Sequence, residues 1–461
     1  MRNGRLVSDG GVIEADLSIV GDRIAAIGDA IPPGRREIDA RGHYVLPGGV
    51  DPHCHLAQVS GAGVPTSDDF ASGTRSAAFG GTTTVMAFAA QHRGTSIRDT
   101  VNNAMDRAGA EAMVDYGLHL ILTEVNDRTA ADLADAVRLG ITSIKIFMTY
   151  ERLRLGGPDL VGVLALAREE GMTVMVHAEH DGLIGWKRRS LVGQDRRDAR
   201  AHVESHSRAA ERAGVAEITA IAEALQMGIY LVHLSSAAAI AAARAARSRG
   251  VRVAVETCPH YLTLDEALLE GPITETAAFM SSPPLRSAGD RRALWQAIRA
   301  GTVDTIGSDH APYRLDAGKL PNGDATEFHQ VANGLPGIEL RLPLLFSEGV
   351  VRGRITVSDF VRLVSTKPAK LFGLYPRKGT LAIGSDADLV VWDASAERTV
   401  SRQDLHDNMD YTPYEGMTLT GWPRTVLVRG RVVVDLGHEA LRPGDGRFIA
   451  RTPRTTDRMG W

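Results

Sequence analysis

The sequence predicts an α/β fold, a (β/α)₈ barrel with a small β-sandwich domain formed from both chain ends. Three observations lead there. Short apolar runs alternate with helical stretches through the middle of the chain, both ends read as antiparallel strands, and polar residues stand where the middle runs stop. At 461 residues the chain exceeds the roughly 250–300 at which one core stops growing, so a large domain beside a smaller one is expected. The expected boundaries are 1–48 and 377–461 for the two parts of the β-domain, the second with a tail, and 49–376 for the barrel.

At the N-terminus, Leu6-Val7, Ala15–Val20 and Arg23–Ile27 alternate with period two and are punctuated by Gly21-Asp22, the pattern of an antiparallel sheet. Asp388–Trp392, Thr425–Val428 and Val432–Val434 have the same texture, so the two ends are expected to share one β-domain. Between them, buried strands are expected near Tyr44–Val50, Thr82–Phe88, Tyr116–Leu122, Ser143–Met148, Thr173–Val176, Ile229–Val232, Arg252–Glu256 and Val303–Ile306. Stretches such as Asp159–Glu170, Ala209–Gln226 and Ala237–Arg249 carry helical spacing, and strands separated by helices mean parallel βα units. Eight such units across roughly 260 residues are the mark of a closed barrel of the TIM type. A doubly wound open sheet is disfavoured, because no glycine-rich fingerprint follows the first strand.

Composition narrows the function classes. A net charge of -4 gives no reason to expect nucleic acid or an anionic membrane as partner. Two cysteines, Cys54 and Cys258, cannot build a disulfide framework, which points to a reducing compartment. The opening MRNGRLVSDGG lacks the apolar run of a signal peptide, and no stretch approaches the roughly 20 apolar residues of a membrane helix. A cytoplasmic protein without a membrane partner is expected.

The strand ends carry the chemistry. The first barrel strand runs into Val50-Asp51-Pro52-His53-Cys54-His55, where extended chain sends both imidazoles to one face and Cys54 to the other. Lys145 lies in Ile144-Lys145-Ile146-Phe147, His177 closes Met175-Val176-His177, and His233 follows Leu231-Val232. The eighth strand ends Ile306-Gly307-Ser308-Asp309. In a (β/α)₈ barrel the C-terminal strand ends converge on the active site. A lone histidine there is ordinarily structural, but four at four such positions with a carboxylate suit divalent zinc, manganese or iron. Lys145 inside a buried strand must be neutral, paired or modified. It can make a salt bridge or contact a substrate. Alternatively its neutral amine takes up carbon dioxide, and the resulting carbamate spans two metals roughly 3.5–4 Å apart.

The ordered motifs PGGVDPHCHL, DDFASGTRSAAFGGTTTVMAF, SIKIFMTY, VMVHAE, YLVHLSS, ETCPHYL, SSPPLR, GSDHAPY, NGLPGIE, KGTLAIGSDADLVVWD and YTPYEGM…GWP cover nearly the whole chain. Together they resemble the amidohydrolase superfamily, in its hydantoinase/dihydropyrimidinase branch. The resemblance implies two zinc ions: His53 and His55 on the more buried one, His177 and His233 on the other, and Lys145 as N6-carboxylysine bridging both. Asp309 would ligate the buried ion and carry protons as general acid/base, with a metal-bridging hydroxide as nucleophile. Tyr150 would hydrogen-bond the developing oxyanion, unless it is only a rim aromatic. Ser282 and Asn333 would grip the substrate, chiefly through their main-chain groups. The implied reaction opens a small cyclic amide or ureide, and the implied assembly is a homodimer or homotetramer.

Loops choose among rings. Dihydroorotases typically follow His-x-His-Leu with an arginine and allantoinases carry a Glu-Pro element there, whereas here stand Ala57-Gln58. That favours hydantoins and dihydropyrimidines over an allantoinase- or dihydroorotase-like alternative. A non-catalytic scaffold homologue is disfavoured, because all six ligand positions are filled. Three departures from the family stand out: His180 where asparagine is usual, no proline after Ser207-Arg208, and Glu151-Arg152-Leu153-Arg154-Leu155 after Tyr150. In the family that last loop helps cover the exocyclic substituent. Its arginines either solvate the loop or serve a polar or anionic group. His260 is expected near the cavity as support for the ligands. His310 and the remaining histidines (His43, His92, His119, His202, His206, His329, His406 and His438) are expected outside the site, and Cys54 in barrel packing.

Overall fold

The computed structural model describes residues 1–61 and 63–453. Its central layer is eight parallel strands in chain order: Gly49–Cys54, Thr82–Ala90, Asp115–Ile121, Ser143–Phe147, Thr173–His177, Ile229–Leu231, Val253–Thr257 and Thr305–Ile306. The barrel closes past the last strand, where Cys54 bridges His310 and the Asp309 amide donates to His53 O at 2.9 Å. These strands are buried on both faces because helices such as Phe70–Phe79, Gly157–Glu169, Arg208–Ala224 and Ala237–Ser248 cover the outside. Helix starts follow local chemistry. Asp69 forms a capping box with Ser72, while Ser96, Ser207, Ser236 and Ser287 each accept a first-turn amide.

The chain ends build one mixed sheet of eight strands. Gly4–Ser8, Gly11–Val20, Arg23–Gly28 and Tyr44–Pro47 come from the N-terminal part, and Leu389–Thr399, Thr418–Val428, Arg431–Asp435 and His438–Glu439 from the C-terminal part. Tyr44–Pro47 joins the halves, pairing parallel with Gly4–Ser8 and antiparallel with Leu389–Thr399. The sheet curls back on itself, since Ile24 N reaches Ser385 O at 3.0 Å and Gly384 N reaches Ile24 O at 2.8 Å. It thereby encloses its own core of Leu6, Leu17, Val45, Leu389, Val391 and Leu427. Residues 454–461 of the expected C-terminal part lie outside the described residues.

The apolar run Tyr44–Val50, expected as the first barrel strand, divides at Gly48. Tyr44–Pro47 belongs to the terminal sheet, and Gly49–Cys54 opens the barrel. Hydropathy does not register the break, but the backbone does. A Cβ on Gly48 would lie 2.0 Å from Thr83 Oγ1 and 2.8 Å from Thr83 Cβ, so only glycine lets the chain cross against the second strand. Sheet and barrel are further tied by Lys378, whose buried Nζ donates to Asp115 at the base of the third barrel strand and to Asp388 in the sheet, 2.6 Å each. Among the described residues no helix is long and apolar enough to cross a membrane.

Gly48→Ala is expected to lower stability by about 1–3 kcal/mol through this clash. The measurement is the guanidinium midpoint, and an unchanged midpoint would contradict the crossing described here.

Candidate functional site

His53 and His55 sit at the end of Gly49–Cys54 with their imidazoles on the inner face, while Cys54 is buried in the outer barrel core. Asp309 faces them, its Oδ1 3.1 Å from His53 Nε2 and 3.3 Å from His55 Nε2. Lys145, fully buried, brings Nζ to 3.4 Å from the same His53 nitrogen. Across the cavity His177 Nδ1 and His233 Nε2 lie 3.0 Å apart, and the His53 and His233 rings are 5.6 Å apart between centroids. The structure thus brings all six expected ligands to one place. Two of them leave their strands in the left-handed region, His233 at φ 42° and Asp309 at φ 46°. Non-glycine residues adopt that conformation at a cost, and such strain gathers at functional sites.

Two donors on one tetrahedral zinc, each about 2.0–2.1 Å from it, lie roughly 3.3 Å apart. The three separations between ligating atoms, 3.1 and 3.3 Å from Asp309 to His53 and His55 and 3.0 Å between His177 and His233, match that spacing. Protonation states agree. Burial, reinforced by Lys145 near His53 and by neighbouring histidine and Lys145 near His233, holds both imidazoles well below their usual pKa, hence neutral and able to ligate. Burial alone would raise the Asp309 carboxyl, but the surrounding His53, His55 and His233 outweigh it and keep it ionised. Burial also lowers the Lys145 ammonium to about 8, which makes the free amine accessible near neutral pH. The donor set fits a divalent metal.

A second layer orients the rings. Glu256, on the seventh strand, accepts from His53 Nδ1 at 2.7 Å and from the Tyr230 hydroxyl at 2.6 Å. Glu179 lies 2.8 Å from His177 Nε2 and 3.1 Å from His206 Nδ1. The Gln58 amide lies 2.7 Å from His55 Nδ1, and its buried Oε1 has no partner. A ligating Nε2 leaves the ring proton on Nδ1, and the Gln58 carbonyl accepts it once the amide is turned. Sequence reading singled out none of the three. Glu179 was findable, because it stands two residues after His177, on the same side of extended chain.

Above the cluster opens a cavity of ≈ 500 Å³, lined among others by Tyr150, Ser282, Asn333 and Tyr313. Tyr150 follows its strand at φ 71°, and this turn stands its ring edge-on to His177, 5.4 Å between centroids. Burial, with Glu179 nearby, pushes its phenol well above the usual range, so it stays a proton donor. The Ser282 hydroxyl lies 3.4 Å from Glu179 Oε2, and Asn333 Oδ1 has no partner. The Ser282 side chain thus has a local role beside its main-chain groups.

The histidine assignment needs correction. His92, His202, His206 and His329 line the cavity, although sequence reading kept them out of the site. They come from loops and a short helix whose place over the barrel mouth leaves no periodic signal. His310 does point away, with Nε2 on Asp68 at 3.0 Å. His260 is buried with Nε2 unpartnered, and its ring, Cys258 and Asp309 approach one another within 4.8 Å. His180, in place of the usual asparagine, caps the helix Asp181–Gly193 by accepting from Leu183 N at 3.2 Å.

The amidohydrolase family profile matches residues 44–433. The D-hydantoinase of Ralstonia pickettii is 40% identical over 452 residues, 98% of each chain. That of Geobacillus stearothermophilus is 40% identical over 455 residues, covering 98% of this chain and 96% of its own. Among solved structures, dihydropyrimidinase from Brevibacillus agri superposes with a TM-score of 0.95 at 39% identity over 98% of both chains. L-hydantoinase (dihydropyrimidinase) from Arthrobacter aurescens does so with 0.88 at 28% identity, over 98% of this chain and 99% of its own.

Gln58→Leu is expected to weaken metal retention about 10–100-fold, the usual cost of losing a partner to a ligating imidazole. Competition with a chelator measures it, with circular dichroism unchanged. Equal retention would remove Gln58 from the site.

Proposed function

The chain belongs to the amidohydrolase family and is a cyclic amidohydrolase; on that premise we propose that it opens hydantoins or dihydropyrimidines to N-carbamoyl amino acids. The convergence of His53, His55, His177, His233 and Asp309 at ligand spacing, with buried Lys145 beside His53, is the observation that carries this reading. The full-length similarity to proteins named D-hydantoinase and dihydropyrimidinase supports the choice of ring. His53, His55 and Asp309 would hold one zinc ion, His177 and His233 a second, with Lys145 as its carbamate between them. Such ions supply Lewis acidity and make a water acidic enough to be a nucleophile near neutral pH.

The chain's own groups do the rest. Asp309, charged and only 9% exposed, accepts a proton as water adds to the ring carbonyl. It returns that proton to the ring nitrogen as the C–N bond breaks, leaving a carboxylate and a carbamoyl amine. The Tyr150 hydroxyl donates to the oxygen on which charge develops, from a backbone already turned toward His177. Ser282, beside the Tyr150 phenol, and Asn333 orient the ring amide. Glu256, Glu179 and Gln58 fix which nitrogen of each imidazole faces the cavity. A cytoplasmic homodimer or homotetramer completes the reading, supported by the family resemblance.

Asp309→Asn is expected to lower kcat about 10³-fold, and Tyr150→Phe about 10²–10³-fold. Both are read by release of N-carbamoyl product from hydantoin and dihydrouracil. Chelation is expected to abolish turnover and zinc to restore it. A zinc-loaded wild type that opens neither ring would overturn the proposal.

A further inference from the structure

The cavity continues outward beyond the ring-opening cluster, and that outer part is basic. Four arginines line it, Arg152, Arg154, Arg188 and Arg189, against two rim carboxylates, Glu151 and Asp181. They come from two neighbouring elements at the mouth, following adjacent barrel strands. Arg152 and Arg154 sit on the loop that leaves Tyr150, and Arg188 and Arg189 on the helix Asp181–Gly193 that follows the His177 strand. The elements touch at the Arg154–Asp181 ion pair, 3.5 Å, which occupies one of the two carboxylates. Arg152, Arg188 and Arg189 make no hydrogen bond or ion pair among the described residues.

A scattered surface arginine finds water. Three exposed guanidiniums without a partner line one concave mouth and give it a positive potential, which the cavity walls focus inward. A carboxylate complements that potential, and the planar fork of arginine suits it. The loop geometry links this charge to the chemistry. Tyr150 holds φ 71° and its carbonyl accepts from Leu153 N at 2.9 Å and Arg154 N at 2.8 Å, so the turn that aims the phenol inward also sets the arginines at the rim. A small ring bound at Tyr150, Ser282 and Asn333 would leave part of the ≈ 500 Å³ cavity, including its arginine-lined mouth, for the substituent.

We propose that this outer subsite recognises a carboxylate, so that the preferred substrates are ring amides bearing a short acidic side chain. Arg152, Arg188 and Arg189 are the specificity-determining residues. The inference rests on the ring-opening function proposed above and names its substrate class.

The test compares two hydantoins of equal size, one with a carboxyethyl and one with a carbamoylethyl substituent, using the zinc-loaded full chain. Unsubstituted hydantoin is the control. Wild type is expected to favour the acid about tenfold or more in kcat/KM, with the advantage shrinking between roughly 0.01 M and 1 M salt. In the R152Q/R188Q/R189Q variant the preference is expected to fall to parity, through the acid alone. Equal kcat/KM for the two compounds in wild type overturns the proposal while the control is still opened. A preference that survives in the triple variant also overturns it. If the control itself is not opened, the ring-opening function fails, and this inference with it.

Discussion

Four imidazoles, an amine and a carboxylate gathered out of water around one cavity, with neighbouring pairs 3.0 to 3.4 Å apart, are the constraint on which the structure turns. Each group loses solvation on burial, and the penalty for a charge is severe unless something replaces the water. Neighbouring side chains do so only in part. His53 faces both Asp309 and Lys145, and His177 Nδ1 stands 3.0 Å from His233 Nε2, whose other ring nitrogen is buried without a partner. A divalent metal would satisfy these nitrogens, and the lowered pKa values of His53, His233 and Lys145 describe the protonation states it requires.

The barrel exists to hold those groups in register. Its strands are continuous with the ligands, so the spacing between His53 and Asp309 follows from closure of the barrel at Cys54 and His310. Where the strands end the backbone is bent into costly conformations, at His233, Asp309 and Tyr150, and these three face the cavity. Their cost is sustained because the surroundings are closely packed: Glu256 anchors the seventh strand to His53 and Tyr230, and accepts the His233 amide at 3.1 Å.

Much of this was legible in the sequence. A period-two strand ending in His-Cys-His, then single polar residues at the ends of later strands, sufficed to expect the barrel and all six converging side chains. What escaped reading has physical reasons. The break at Gly48 depends on the proximity of Thr83, a contact between separate strands that hydropathy cannot express. His202 and His206 reach the cavity from a short helix whose direction is set by packing, with no pattern of its own. Glu256 and Gln58 look unremarkable in their segments, because their importance lies in which nitrogen of a distant ring they touch. The arginine-bearing loop was visible, but its counterpart Arg188 and Arg189 on the neighbouring helix needed the fold.

The dependence of the cluster on metal is most directly tested by counting ions. Elemental analysis of the purified chain and of Lys145→Ala, each reconstituted with zinc and bicarbonate, is the decisive measurement. The account predicts two zinc ions per wild-type chain and at most one in the variant, because the proposed lysine carbamate would be the ligand both ions share. Wild type that holds no zinc, or a variant that still holds two, would contradict it.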